Sequence, residues 1–271
     1  MMHSIPILAY HLVTDRPDLG FTRTSLRQFE AQMQWLSDRG YRTVTVSEYH
    51  RNFDQILHEH QQFPTVVLTF DDAYASIDLP AAIMDKFGFT GTCFAIGAYV
   101  GKRNDWDYQF LFRRYRHADI SLLRELKSGG WEIGSHTQHH AFLPRLSDRS
   151  LRSELRGSRQ MLSDRLGAPV SSISYPFGAT NKKICRLAKE AKYHCGVGLG
   201  QRSSEYERLG NMCLPRLGVY TFDRLRSFAN KVEAFGDTKS WMFKKQRMIS
   251  QCTMGTVALN MMRSALKRGV F

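Results

Sequence analysis

The stretch Thr65-Val66-Val67-Leu68-Thr69-Phe70-Asp71-Asp72 is a run of β-branched and apolar residues that ends in two adjacent carboxylates. An apolar run of this length without helical periodicity predicts a strand buried on both faces. Neighbouring side chains on an extended chain point to opposite sides. One carboxylate can therefore hold a cation while the other faces a reactant only if the backbone bends there. Asp is also an ordinary helix N-cap, so the pair alone does not establish a site.

An alternation of strand and helix is predicted on both sides of this stretch. Further strands are predicted at residues 5–10, 41–46, 90–96, 131–135, 170–175, 194–199 and 212–219. Helices are predicted at residues 25–39, 46–57, 79–87, 121–127, 148–166 and 181–192. This order is typical of a parallel sheet wrapped by helices, either a closed barrel or an open doubly wound sheet. In a barrel, the loops that follow the strands build the functional site.

Composition limits the class of protein. An apolar share of 42% in 271 residues without a visible linker favours one large α/β domain. The formal net charge of +13 favours an anionic partner such as nucleic acid, a lipid surface or an acidic substrate. We find no zinc-finger spacing, aromatic RNA-binding motif or basic heptad helix, so nucleic acid is the least favoured of these.

The expected location follows from the cysteines and the apolar runs. The 5 cysteines are scattered and form no Cys-x-x-Cys pair, which favours a reducing compartment. No apolar run reaches transmembrane length, and the first residues do not resemble a signal peptide. We therefore expect a cytoplasmic protein, either free or attached at the inner face of the membrane.

The end of the chain differs in character from the rest. Residues 222–271 place many Lys and Arg side chains among Phe, Met, Leu and Trp241. This pattern fits an amphipathic segment on an anionic membrane surface, and equally a partly solvated helical appendage packed on the barrel. We predict a domain at residues 1–221 and a basic helical extension at residues 222–271.

Two histidines follow the predicted strand at 131–135. His136 and His140 are four residues apart, so in a helical turn they would share one face. Because parallel strands end at one rim, these imidazoles are expected to meet the aspartate pair. One carboxylate and two imidazoles with open positions compose a catalytic site for Zn²⁺ or another divalent ion. A His-x-x-x-His pair also occurs on ordinary surfaces, so this remains a hypothesis at this point.

Two further candidates lie at loops. His11 follows the strand at residues 5–10, where a histidine serves either as a structural residue or as a proton carrier. The loop at residues 101–108 contains Trp106 and Asp107. Its mixture of polar and aromatic residues suits a sugar-binding edge and equally an ordinary packed loop.

Three motifs in this order resemble the polysaccharide deacetylase family, also known as carbohydrate esterase family 4 or the NodB-homology domain. They are Thr69-Phe70-Asp71-Asp72, Glu132-Ile133-Gly134-Ser135-His136-Thr137-Gln138-His139-His140 and Tyr175-Pro176-Phe177-Gly178. The similarity extends from about residue 5 to residue 219. It implies a distorted, TIM-like (β/α)₇ barrel, a divalent metal and hydrolysis of N-acetyl groups on amino-sugar glycans. The metal is expected to be Zn²⁺, with Co²⁺, Ni²⁺ or Mn²⁺ as alternatives.

The resemblance also implies a role for each motif residue. Asp71 would be the general base, and Asp72, His136 and His140 would be the metal ligands. Phe177 would donate its backbone N–H to the oxyanion. The chemistry agrees, since a metal acidifies its bound water, Asp71 can remove the proton, and the hydroxide attacks the acetamide carbonyl. The tetrahedral oxyanion would lie between the metal and the backbone donor.

The sequence departs from the family pattern in two places. Many members carry an Arg that orients the base where this chain has Ser174, and our candidate for its replacement is Arg216, for which a structural salt bridge is an equal alternative. The usual late His is also absent, because no His follows His194. Ala9-Tyr10-His11 resembles the poly-β-1,6-N-acetylglucosamine deacetylase subgroup, whose permuted barrel brings an N-terminal Tyr-His strand into the site. We therefore assign His11 as the general acid.

The leading interpretation is a metal-dependent hydrolase that removes N-acetyl groups from an amino-sugar saccharide or polysaccharide intermediate. We assign Tyr175, Trp106 and Asp107 to binding of this N-acetylated saccharide. One alternative is a catalytically silent carbohydrate- or membrane-binding module, which the missing Arg and late His favour. Another is a deformylase-type C–N hydrolase acting on a lipid-linked sugar. The presence of a spare acidic residue beside a complete ligand set argues for an enzyme.

Overall fold

A curled parallel sheet surrounded by helices forms the centre of the protein. The computed structural model describes residues 5–16, 21–105, 114–200 and 209–235. The strands are β1 (Ile7–Tyr10), β2 (Leu12–Val13), β3 (Arg23–Thr24), β4 (Arg42–Thr43), β5 (Thr65–Phe70), β6 (Thr92–Ala95), β7 (Glu132–Ser135), β8 (Ser172–Ser174), β9 (Cys195–Val197) and β10 (Leu217–Gly218). The helices are α1 (Leu26–Asp38), α2 (Val46–Arg51), α3 (Phe53–Glu59), α4 (Asp78–Asp85), α5 (Ile120–Ser128), α6 (Asp148–Leu166), α7 (Lys182–Glu190) and α8 (Leu225–Glu233).

The main sheet is parallel and runs in the order β10-β1-β5-β6-β7-β8-β9, with β4 added beside β5. Two isolated bridges, Val197 with Leu214 and Gly200 with Arg216, join the end of β9 and the residues after it to the chain before β10. The sheet therefore curls back towards its own first edge, and single bridges replace a regular ladder there. The predicted distorted (β/α)₇ barrel is confirmed.

The predicted central strand is β5, and all six of its residues are buried. Each helix that packs on the sheet buries the side chains of only one of its faces. In α6, Leu151, Leu155 and Leu162 pack inward. The Ser147 hydroxyl accepts a hydrogen bond from the backbone N–H of Ser150 at the start of this helix, and Gly167 ends it with a φ of 65°. This left-handed conformation is one that glycine adopts at little cost, so the helix ends where the sequence predicts.

Some predicted boundaries were wrong for local reasons. The single helix expected at 46–57 is divided into α2 and α3 at Asn52, whose φ of −114° and ψ of 27° are not helical. The strand expected at 41–46 ends at Thr43, because Thr45 forms a capping box with Glu48 and so begins α2. The strand expected at 212–219 is reduced to β10, since residues 210–212 form a 3₁₀ turn.

The first part of the predicted extension, residues 222–235, packs on the barrel. In α8, Phe228 is fully buried and its ring meets Trp35 of α1 edge-on, with 5.9 Å between the ring centroids. The Lys231 ammonium donates a hydrogen bond to the Gly218 carbonyl of β10 at 2.8 Å. The boundary at 221 stays a prediction. Residues 236–271, on which the expected membrane contact depends, lie outside the described residues.

Two further observations concern the described ranges only. None of their helices has both the length and the apolar character needed to cross a bilayer. Their four cysteines, Cys93, Cys185, Cys195 and Cys213, are buried and form no disulfide.

Candidate metal centre

The two aspartates after β5 separate at a sharp backbone bend. The Asp71 amide still donates a hydrogen bond to the Tyr10 carbonyl of β1 at 2.9 Å, so Asp71 continues the strand. Asp72 and Ala73 then adopt left-handed φ values of 68° and 48°. This conformation is costly for residues other than glycine and is retained where the surrounding structure holds it. The bend that the sequence required between the two carboxylates lies at Asp72.

Asp72, His136 and His140 form one buried cluster. Their potential ligand atoms all lie within 4.8 Å of one another. Asp72 Oδ1 is 3.5 Å from His136 Nε2 and 3.7 Å from His140 Nε2. The three residues therefore face a common point, where one carboxylate and two imidazoles converge.

The route by which the two histidines meet was predicted wrongly. Residues 136–140 do not form a helical turn. Thr137 and His140 instead have left-handed φ values of 64° and 55°, and the two imidazole rings come to 4.8 Å between centroids. Glu154 of α6 holds this loop by accepting hydrogen bonds from the backbone N–H groups of Gln138 and His139, at 3.0 and 2.9 Å. The rings of His136 and His140 therefore come together because of tertiary contacts, and not because of helical spacing.

The protonation state of the two histidines, like the composition of the cluster, suits the binding of a divalent cation. His136 Nδ1 lies 2.8 Å from the Ser174 carbonyl, which can only accept, so Nδ1 carries the proton and Nε2 offers its lone pair towards Asp72. Burial lowers the pKa of both His136 and His140. Both imidazoles are therefore neutral near pH 7, as a metal ligand must be.

His117 was not predicted as part of the site. Its Nδ1 lies 2.7 Å from the backbone carbonyl of Asp72, and its ring stacks on Tyr74 with 5.0 Å between centroids. The side chain is buried, and burial lowers the pKa of His117 to about 4. No motif or spacing marks this residue, since it precedes α5 in an irregular segment. It supports the bend at Asp72 only because the fold brings the two loops together.

Arg216 pairs with Asp71 through both prongs of its guanidinium. Nη1 donates to Asp71 Oδ1 and Nη2 donates to Asp71 Oδ2, each at 2.8 Å. The other three N–H groups donate to Thr69 Oγ1, Ser174 Oγ and the Gly198 carbonyl. All five donors of this buried guanidinium are satisfied. Arg216 thus approaches the carboxylate across Ser174, the position where many family members carry their own Arg.

The charge state of Asp71 follows from this contact. Burial acts to raise the pKa of Asp71, but the positive charge of Arg216, the neighbouring His136 and the hydrogen bonds from Arg216 outweigh it. The pKa of Asp71 is held well below its usual range. The carboxylate is ionised at every pH at which the protein is expected to work.

The structure places His11 and Phe177 near this cluster. Burial lowers the pKa of His11 to about 4, and the charge of Asp71 partly opposes that shift, so the two groups are within electrostatic reach. Phe177 has a left-handed φ of 61° and places its ring 4.7 Å from that of His140, centroid to centroid.

Of the three residues predicted to bind substrate, the structure describes only Tyr175. The assignment of Tyr175 was wrong, because its side chain is fully buried in the core, where the close approach of Gly196 leaves no room for a sugar. Tyr175 lies directly after β8, as predicted, but its side chain is enclosed beside Gly196 of β9. Trp106 and Asp107 lie outside the described residues.

Comparison with known sequences gives the family. The family model described as polysaccharide deacetylase matches residues 58–196. The Bacillus subtilis protein YxkH, a candidate polysaccharide deacetylase by name, is 29% identical over 194 residues, which cover 71% of this chain and 63% of that protein. A poly-β-1,6-N-acetyl-D-glucosamine N-deacetylase of Staphylococcus aureus is 24% identical over 190 residues, covering 66% of this chain and 62% of that protein. The chain spans less than two thirds of the length of these curated relatives.

Solved structures share the fold. The Streptococcus pyogenes deacetylase PplD, determined in complex with acetate, superposes with a TM-score of 0.71 at 20% identity, covering 86% of this chain and 99% of that one. IcaB from Ammonifex degensii superposes with a TM-score of 0.66 at 19% identity, covering 85% of this chain and 97% of that one. The family model spans just over half of the chain and contains Asp71, Asp72, His136, His140 and Phe177. The chain therefore belongs to the polysaccharide deacetylase family.

Proposed function

We propose that this protein is a metal-dependent N-deacetylase that hydrolyses the acetamide of an N-acetylated amino-sugar saccharide. One observation carries the proposal: two consecutive carboxylates have opposite surroundings. Asp72 faces two neutral imidazoles, whereas Asp71 is held by the guanidinium fork of Arg216. A binding module has no need for an oriented, ionised carboxylate beside a ligand set, so the arrangement favours an enzyme over a silent relative.

Asp72, His136 and His140 would hold the cation. This donor set suits Zn²⁺, and Co²⁺, Ni²⁺ or Mn²⁺ are alternatives. When bound, a divalent ion lowers the pKa of a water molecule and polarises the acetamide carbonyl. Asp71 is a weak base by itself, because Arg216 holds its pKa low. It can therefore accept a proton only from a water that is already acidified and is attacking the carbonyl carbon.

Three residues would complete the reaction. Arg216 acts as a positioning residue, since it fixes both oxygens of Asp71. The backbone N–H of Phe177 would stabilise the negative charge that develops on the carbonyl oxygen. His11 would protonate the leaving amine. Because burial lowers its pKa to about 4, His11 is neutral near pH 7, so it would first take up the proton that Asp71 removes from water and would then donate that proton to the amine. Water and amide then give acetate and a protonated amine, and the protons balance.

Paired substitutions test the proposal. We expect the purified protein, loaded with Zn²⁺ or Co²⁺, to release acetate from N-acetylglucosamine oligosaccharides. Asp71→Asn should keep its bound metal and lose about 10²- to 10⁴-fold in kcat, because the proton acceptor is removed. Asp72→Asn should lose the metal itself, measured by elemental analysis. His11→Ala should lower kcat with metal content unchanged.

Other results would select the alternatives. Failure to bind any divalent ion after reconstitution would favour the silent binding module. Release of formate from N-formylated sugars, without release of acetate, would favour the deformylase. Undiminished turnover by Asp71→Asn would remove the proposed base.

A further inference from the structure

A cavity of about 720 Å³ has four arginines in its wall. Cavities of this size hold ligands of one or two sugar units. The side chains on which the argument depends are Arg16, Arg103, Arg114, Arg116, Tyr74 and Tyr115. They surround one space with two aromatic rings and four guanidinium groups, and no part of the chemistry proposed above uses them.

The cavity adjoins the metal centre through two shared loops. Tyr74, in the cavity wall, lies two residues after Asp72 and stacks on His117, whose ring contacts the Asp72 carbonyl. Thr14, also in the wall, follows β2, which begins directly after His11. The loops that present Asp72 and His11 are therefore the same loops that border the cavity. A saccharide whose acetamide reaches the metal centre can place a neighbouring substituent there.

Among the described residues, none of the four cavity arginines forms an ion pair with a carboxylate. The arginine ion pairs that these residues do show include those of Arg39, Arg42, Arg152, Arg186 and Arg216. The charge of Arg116 also acts on the exposed carboxylate of Asp119, whose pKa it helps to lower. One carboxylate, Asp78, lines the cavity, and its Oδ1 accepts a hydrogen bond from the Leu79 backbone. The lining side chains therefore carry a clear excess of positive charge.

The backbone holds two of these charges together. Arg103 and Arg116 face each other across an isolated antiparallel bridge. The side chains of directly opposed residues lie on the same side, and like charges so placed repel one another. Arg116 Nε is also held by the Gly101 carbonyl at 3.1 Å. This repulsion is relieved when an anion lies between the two guanidinium groups.

We propose that the cavity binds an anionic substituent, a phosphate or a carboxylate, on the saccharide, and that the substrate is therefore an acidic amino-sugar saccharide. Guanidinium forks match both anions in geometry and bind them with charge-assisted hydrogen bonds. Tyr115, which is partly exposed, adds aromatic surface for a sugar ring, and the buried ring of Tyr74 packs edge-on behind it. The inference rests on the proposed deacetylase function.

Binding measurements test the cavity without requiring turnover. The metal-loaded protein is titrated calorimetrically with two acidic probes and their neutral counterparts. N-acetylglucosamine 1-phosphate is compared with methyl N-acetylglucosaminide, and a glucuronate-containing disaccharide of N-acetylglucosamine is compared with N,N′-diacetylchitobiose. We expect at least one acidic probe to bind about tenfold more tightly than its neutral counterpart, because charge-assisted contacts add to the sugar contacts. The preferred probe identifies the anion.

Two variants locate the effect. Arg16→Ser with Arg114→Ser should abolish the preference for the acidic probe, whereas Arg149→Ser, on the exposed side of α6, should retain it. Equal binding of acidic and neutral probes by the unaltered protein would overturn the inference, as would a preference that survives in the double variant. Acetate release is measured separately. A charge preference without any release would contradict the deacetylase, and release without a charge preference would contradict the acidic substrate.

Discussion

Arg216, which directly precedes β10, binds both carboxylate oxygens of Asp71, which directly follows β5. The sheet order β10-β1-β5 places β1 between the segment that carries Arg216 and the strand that leads to Asp71. The two side chains are only 1% and 5% exposed, and both of their contacts measure 2.8 Å. The orientation of the proposed base therefore depends on the curl of the sheet, and not on the motif in which the base lies.

Removal of Arg216 should be costly for stability as well as for activity. Arg216→Ala leaves the Asp71 carboxylate buried without its counter-charge, which costs about 3–5 kcal/mol of the free energy of unfolding. Urea denaturation measures this loss. Arg216→Lys should recover only part of it, because an ammonium cannot form the two-pronged contact.

An exchange variant separates orientation from simple packing. Arg216 donates to Ser174 Oγ, so the two positions are adjacent at the carboxylate. We expect Arg216→Ser combined with Ser174→Arg to show higher kcat than Arg216→Ser alone, since the guanidinium can approach Asp71 from the end of β8. A double variant with no more activity than the single variant would contradict this view of Arg216.

His117 should tune the metal centre through the Asp72 backbone. His117→Phe keeps an aromatic ring against Tyr74 and removes the hydrogen bond to the Asp72 carbonyl. Groups that orient a ligand in this way typically contribute about 10- to 100-fold in metal affinity. We expect a weakening of this order, measured by competition with a coloured chelator. His58→Phe, at an exposed position of α3, is the control, and an equal effect in both variants would refute the role of His117.

Acid should destabilise the fold through its buried histidines. The pKa of His11 and of His117 is lowered from 6.5 to about 4 by burial. Protonation therefore favours the unfolded chain, so their contribution is complete above pH 6.5 and is lost as the pH falls towards 4. Each such histidine changes the free energy of unfolding by about 1.4 kcal/mol per pH unit within that window.

Urea midpoints measured with a chelator present, at several pH values from neutral down to about 4.5, check this dependence without bound metal. His117→Phe should reduce the slope, because one of the titrating groups is gone. A midpoint that stays constant over this range would contradict the burial of neutral histidines.

The helix α8 should belong to the stable barrel, although it lies beyond the predicted domain boundary at 221. Phe228 is fully buried against Trp35, so Phe228→Ala should cost about 3–5 kcal/mol of the free energy of unfolding. A chain that ends at residue 221 should be destabilised further, whereas one that ends at residue 235 keeps every described contact of α8. Equal thermal stability of both shortened chains would show that the boundary at 221 is right.

The three sequence motifs indicated the family. Local patterns indicated the parallel sheet and the rim on which the site lies. Local periodicity is enough for this: the apolar run of β5 predicts a doubly buried strand, Gly167 predicts the end of α6, and parallel strands deliver Asp72 and His136 to one edge. Spacing also paired His136 with His140, although the assumed helical turn is absent and Glu154 holds the loop instead.

Which side chains meet depends on the three-dimensional fold. Arg216 and Asp71 are separated by 145 positions in the chain, and His117 and Asp72 by 45. Such contacts depend on strand order and on the curl of the sheet, which local patterns do not specify. The same limit explains Tyr175, since position at a strand end gives the rim but not whether the side chain faces the site or the core. The arginine cavity likewise exists only because loops after different strands converge.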